Sequence, residues 1–151
     1  MGVTDKQVAA LTAQLAGRGD EHKRLFAELD AEEVGFEYSA LVGAAVALAV
    51  DRRFVENGEI ADRKAVIDFV AELRSRTLKA AEALDPTVAE QLILQNLGKG
   101  DISTLDNKTV FGAQIIVLAG LIADEQFSEA ELTSFMATVR GVAETWVSNA
   151  S

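Results

Sequence analysis

The side chains able to do chemistry are few, and nearly all are carboxylates. Two acidic stretches each follow an apolar run: Asp51 with Glu56 and Glu59 behind it, and Asp124, Glu125, Glu129 and Glu131. Carboxylates gathered near helix ends are where a hard cation binds, so Asp51, Asp124, Glu125, Glu129 and Glu131 are the metal candidates. Neither stretch is an EF-hand loop. Counting from Asp51 puts Arg53 and Val55 at the third and fifth ligand positions and Glu56 where the sixth needs glycine. Counting from Asp124 puts Phe135 at the twelfth, where a bidentate glutamate belongs. Acids around the first turn of a helix are also accounted for by the helix dipole.

Most other chemistry is excluded by residue type. The chain has no cysteine, which removes disulfides, thiolate zinc sites and cysteine nucleophiles. Its one histidine, His22, lies among Glu21, Lys23 and Arg24 and reads as a surface residue, so nucleophilic catalysis lacks its base. Gly98-Lys99-Gly100-Asp101 shares composition with a phosphate loop, but the lysine is followed by glycine, no glycine stands five residues before Gly98, and no strand precedes it. Arg18-Gly19-Asp20 reads as a helix boundary. Two converging carboxylates are what an enzyme would have left to use, which would make it a carboxylate-dependent hydrolase. No catalytic residue and no cofactor is expected.

The elements that would position these groups are helices. With 151 residues, 49% hydrophobic content, 25 alanines and one proline, the chain is long enough for one cored helical domain over residues 1–151. Thr4 and Gln7 form a capping box ahead of Val8, Leu11 and Leu15, and Gly17 stops that helix. Asp20 is expected to cap a second helix carrying Leu25, Phe26 and Leu29, with Gly35 closing the region. Tyr38 to Arg53 is apolar on every face, which predicts a buried helix in which Gly43 allows close approach. Asn57-Gly58 breaks the chain, and an amphipathic helix follows from Ile60 to near Leu84. Asp85-Pro86 starts the next helix, which runs to Gly98. A loop over Lys99 to Lys108, with a turn at Ile102 to Leu105, leads to a second buried helix from Asn107 to Ala123. Ser128 with Glu131 opens the last helix, whose register puts Leu132, Phe135, Met136, Val139, Val142, Ala143 and Trp146 in the core. The pattern predicts seven helices and no strand.

The two buried helices align at an offset of 73 residues, pairing Tyr38 with Phe111, Val42 with Ile115 and Phe54 with Phe127. Residues 38–77 and 110–147 therefore read as a duplicated hairpin. The expected fold is all-α, with two pseudo-symmetric helical hairpins around two central buried helices. Asp124-Glu125-Gln126-Phe127-Ser128-Glu129-Ala130-Glu131, with Val50-Asp51 and Glu56-Asn57-Gly58-Glu59 in the first copy, resembles the acidic turns of the TerB-like family associated with tellurite resistance and stress. The resemblance implies a binder of a metal or small ligand. The glycine that family places after the turn aspartate is replaced here by Arg52 and Glu125.

Charge narrows the partners. Against 24 acidic side chains stand 14 basic ones, a net charge of −10, which repels nucleic acid and anionic membranes. Residues 1–80 hold 14 acids and 11 bases, and residues 81–151 hold 10 and 3. The charge-free runs from Tyr38 to Val50 and from Thr109 to Ala123 are shorter than the roughly 20 residues a bilayer span needs. Without a signal-peptide pattern at Met1 to Lys6, a cytoplasmic location is expected, with neither nucleic acid nor membrane as partner. These features together favour a non-enzymatic interaction module that binds another protein, or a second copy, through an apolar groove between hairpins rimmed by acids. The TerB-like ligand binder and the carboxylate hydrolase are the alternatives.

Overall fold

A computed structural model describes residues 2–150. The chain is all-α apart from one short hairpin. In order it forms α1 (Asp5–Leu15), α2 (Gly19–Ala27), α3 (Ala31–Val34), α4 (Phe36–Phe54), β1 (Val55–Glu56), β2 (Glu59–Ile60), α5 (Arg63–Ser75), α6 (Leu78–Ala83), α7 (Pro86–Asn96), α8 (Asn107–Glu125) and α9 (Glu129–Ala150). The seven expected helices are α1, α2, α4, α5, α7, α8 and α9. The chain groups into two compact units: residues up to Ala45 with those from Ile122, and Val46–Leu121. The divisions fall inside α4 and α8.

In the first unit the predicted Thr4–Gln7 capping box is formed, the Gln7 side-chain oxygen Oε1 accepting from the Thr4 N–H at 2.7 Å. Gln7 is wholly buried. Its amide donates to the Glu33 carbonyl oxygen at 2.7 Å, and the Thr4 hydroxyl donates to the Glu33 carboxylate at 3.0 Å. Glu33 is itself the third residue of α3 and forms a capping box with Asp30. Two capping boxes 26 residues apart are thereby locked together, and the chain between them is held at both ends.

Gly17 ends α1 with φ +79°. Its N–H donates to the Gln14 carbonyl and the Arg18 N–H to the Ala13 carbonyl, which is the Schellman arrangement that glycine favours. Arg18, not Asp20, stands at the N-cap of α2. Asp20 and Glu21 sit inside the first turn, where their charge favours the dipole without a side-chain cap. The surface position expected for His22 is also corrected. Its Nδ1 lies 2.7 Å from the Ala10 carbonyl, which can only accept, so that nitrogen carries the proton. The ring leans on Phe26 at 5.6 Å, and Phe26 meets Tyr38 edge-on at 5.4 Å. Burial of Tyr38 pushes its phenol up to about 12.

In the second unit the Asn57-Gly58 break is a β-turn. Both residues have positive φ (+53° and +79°), and Val55 and Glu56 pair antiparallel with Ile60 and Glu59. Asn-Gly suits the type I′ turn that two-residue hairpins need, while strands of two residues are too short to leave a periodic signal. This corrects the expectation of no strand and moves the helix start from Ile60 to Arg63, capped by Asp62. The helix expected to run to Leu84 is divided. Thr77 is extended and caps α6, and the Arg74 guanidinium donates to the Leu84 and Ala81 carbonyls at 2.8 Å each, folding α6 against α5. Phe54 and Phe69 meet edge-on at 5.8 Å, with the Arg53 guanidinium 5.0 Å above the Phe69 ring.

Asp85 caps α7 ahead of Pro86 as expected. The Gly98-Lys99-Gly100-Asp101 run is the C-terminal cap of α7. Gly98 has φ +76°, its N–H reaches the Gln95 carbonyl, and the Lys99 N–H reaches the Leu94 carbonyl at 2.7 Å. A Cβ on Gly100 would stand 2.7 Å from backbone atoms of Gln91 and Gln95, so only glycine fits. On α8 a Cβ at Gly120 would come within 2.6 Å of the Leu73 side chain, which would have to shift. The predicted turn at Ile102 to Leu105 is closed by a 3.1 Å hydrogen bond. Asp106 then caps α8 by accepting from the Thr109 N–H at 2.7 Å and its hydroxyl at 3.1 Å. About a third of the apolar stretch of α8 is buried, so the second helix expected in the core is only partly covered, and the linkers after α4 and α8 differ. A β-hairpin follows α4, whereas α8 stops two residues before Phe127 at a left-handed Gln126 (φ +53°).

The Ala31–Phe54 stretch and α8 are long and apolar enough to cross a bilayer, a test that core helices also pass. The helices extend past the charge-free runs by adding a few flanking polar residues. Leu41, Val42, Val46 and Val50 on α4 are fully buried against protein.

Two predictions follow from these helix ends. Replacing Gln7 by leucine leaves the half-buried Thr4 N–H and Glu33 carbonyl without their partner, and is expected to lower unfolding free energy by about 1–2 kcal/mol in denaturant titration. Hydrogen bonds from Thr109 hold the Asp106 carboxyl below its ordinary 3.8. A depressed carboxylate contributes stability above its unfolded pKa that is lost as pH falls through the folded value. Thermal melts of Asp106→Asn should therefore show a shallower loss of stability below 3.8 than the parent chain does.

Candidate interaction groove

The first unit carries a groove flanking α1, open to solvent and walled by α2 and α9. Two depressions compose it, of about 370 and 420 Å³, and they share Thr12, Arg18 and Thr133. Leu132 and Met136, both buried, lie in its base with Leu15, Leu25 and Phe127 half-buried beside them, and Thr12, Gln126, Ser128 and Thr133 make the end near Phe127 as polar as it is apolar. The lips are small: Ala9 on α1, Ala16 at its C-cap, Ala123 near the end of α8 and Ala137 on α9.

Each wall is positioned by local sequence. The α9 wall starts at the predicted Ser128–Glu131 capping box, in which the Glu131 carboxylate accepts from the Ser128 N–H at 2.8 Å and the Glu131 N–H donates to the Ser128 hydroxyl at 3.1 Å. Gln126 in the left-handed region turns the chain sharply enough for Phe127 to lie against Phe135 at 5.5 Å. The α2 wall is placed by the Gly17 cap and by the contact of His22 with Ala10 described above.

Two guanidiniums line the groove, and both are engaged by carboxylates. Arg18 bonds Glu21 one turn on. Arg140 donates to Asp5 at 2.6 Å, to Glu144 at 3.1 Å and to the Val3 carbonyl at 2.7 Å. The Asp5 hydrogen bond, followed by that of Glu144, raises the Arg140 pKa above its already high ordinary value. Arg140 thereby straps the segment before α1 onto α9.

The sequence-selected acids fall as follows. Asp51 is exposed on the last turn of α4, in the second unit. Asp124 and Glu125 close α8, and Glu129 and Glu131 open α9 in the first unit, Glu129 at the end of the groove. The cap accounts for Glu131. Among the described residues no group of three or more histidine, cysteine, aspartate or glutamate side chains is arranged to hold a metal ion. Trp146, expected in the core, is 42% exposed, because no described residue of α9 after Ala143 is buried and the apolar register outruns the surface it packs on. The groove residues themselves escaped selection by chemistry. The available signal was the spacing of Ala9, Thr12 and Ala16 on one helix and Thr133 and Ala137 on another, small side chains at helical intervals on the edge of an apolar stripe.

No protein family, no curated protein and no solved structure matches this chain.

The Arg140 strap is testable. Its side chain is one-third exposed, so solvent screening leaves an expected cost of about 1 kcal/mol for Arg140→Ala. Amide exchange measured from Thr4 to Gln7 should rise in that variant while exchange in α5 and α7 is unchanged.

Proposed function

We propose that this chain is a non-enzymatic helical module that binds another protein through the groove beside α1 and α9. The observation that carries this function is the groove itself, open to solvent, with apolar side chains at its base, alanines at its lips, and both of its cations already ion-paired. Such a surface offers area and shape to a partner, while its two lining carboxylates, Glu21 and Glu129, lie in different depressions and Glu21 is paired with Arg18. The sparse chemistry of the sequence supports the same view, since the one histidine is spent on docking α2 to α1. Exposed apolar side chains elsewhere on this unit, Phe36 at 52% and Trp146 at 42%, add surface that a partner could cover.

A photo-crosslinking residue at Thr133, on the exposed lip, tests the proposal in the source cell. Discrete adducts with another polypeptide are expected from position 133 and not from Lys64, which is exposed on α5 in the other unit. Equal labelling at the two positions, or none at position 133, would refute it.

A further inference from the structure

We infer that a second copy of the chain docks on the uncovered face of α8 in the second unit, forming a two-fold dimer. Only about a third of the apolar span of α8 is buried, and no charged side chain occurs from Thr109 to Ala123. Gly112 and Ala119 are exposed, Ile115 and Ile116 are half-buried, and steps of three, four and seven residues put all four on one face. Beside that face an open cleft of about 390 Å³ separates α8 from the α6–α7 turn, with the buried Leu84 and Ala113 in its lining.

Nothing within one copy calls for glycine at position 112. Its φ is not left-handed, a Cβ there would meet nothing within 4 Å, and glycine inside a helix costs about 1 kcal/mol relative to alanine. Gly120 on the same helix has the Leu73 side chain against it, and Gly141 on α9, equally free, shares its face with Thr138 and Thr145. At Gly112 the missing side chain bares the backbone beside an apolar strip, which lets a second helix come close.

Charge identifies that helix as belonging to another copy. Asp85 rims the cleft on the α6–α7 side and Lys108 on the α8 side. Asp85 spends one carboxylate oxygen on the Val88 N–H at 3.1 Å, and neither Asp85 nor Lys108 forms a salt bridge among the described residues. The charge of Lys108 is the weakest of the influences that lower the Asp106 carboxyl. One acid and one base give the cleft no net sign with which to choose a charged partner, yet they make it complementary to itself. Across a two-fold axis the Lys108 of each copy meets the Asp85 of the other. The second unit holds eleven acidic side chains against nine basic ones and the first thirteen against five, so two copies meet here with far less repulsion than through the first unit.

Sedimentation of the full chain tests this. About three helical turns on each copy make a small interface, so a monomer at about 1 μM and a dimer by about 200 μM are expected. Gly112→Ala should weaken the dimer about fivefold and yet raise the melting temperature of the dilute monomer, because alanine favours the helix and nothing within the copy obstructs it. Asp85→Asn, which keeps the α7 cap, and Lys108→Gln should each weaken the dimer a few-fold, and the double variant no more than either alone. A chain still monomeric at about 200 μM, a dimer unchanged by both Gly112→Ala and Ala119→Glu, or fully additive effects of the two charge variants overturns the inference. A dimer that Thr133→Trp dissociates would place the contact at the groove, and monomer bound to phosphatidylcholine vesicles until Ala119→Glu releases it would assign the face to lipid. Either result overturns it likewise.

Discussion

A chain folded almost wholly as helices must satisfy the unpaired N–H groups at every helix start and the unpaired carbonyls at every helix end. Here the manner of satisfying them directs the chain. Asp30, Asp62, Thr77 and Asp85 each lend a side-chain oxygen to an N–H three residues on, and each marks a change of direction. Gly17 and Gly98 close the carbonyl ends of α1 and α7 in the left-handed conformation. The most consequential end is the first, where the capping boxes at Thr4 and Asp30 are joined through buried Gln7 and half-buried Glu33. A buried amide with its hydrogen bonds made can be replaced only at the cost of stranding backbone groups, so it defines one arrangement of α1 and α3 where apolar contacts would tolerate several.

Small side chains are the second organising feature. Alanine and glycine lower the bulk between elements, letting the backbone at Gly100 come close to that of α7 and leaving room for the Leu73 side chain at Gly120. Where such a surface is covered, it makes core. Beside α1 and α9 it is uncovered, and the same composition makes a groove. Arg140 is central to this distinction. One side chain ties the N-terminal segment to α9, neutralises Asp5 and Glu144, and borders the channel.

Much of the fold was legible in the sequence. The capping boxes at Thr4 and Ser128, the Asp85-Pro86 start and the seven principal helices follow from side-chain chemistry acting over three or four residues, which local pattern records directly. The misreadings share a cause. Asp20 as a cap, an unbroken helix from Ile60 to Leu84, surface-exposed His22 and buried Trp146 each depended on a partner distant in sequence or on where a packing surface ends. Arg74 reaching forward to Leu84 and Ala10 accepting from His22 leave no periodic trace.

Sequence by itself determined the helical class, the helix ends and the poverty of reactive groups, because each is a property of residue type or of near neighbours. Tertiary structure alone decided which apolar stripe stays uncovered, which cations are already matched, and how the negative charge is divided between the two units. Those depend on what lies across a helix from a given residue, and a linear pattern of periods three and four repeats along a helix without saying what it faces.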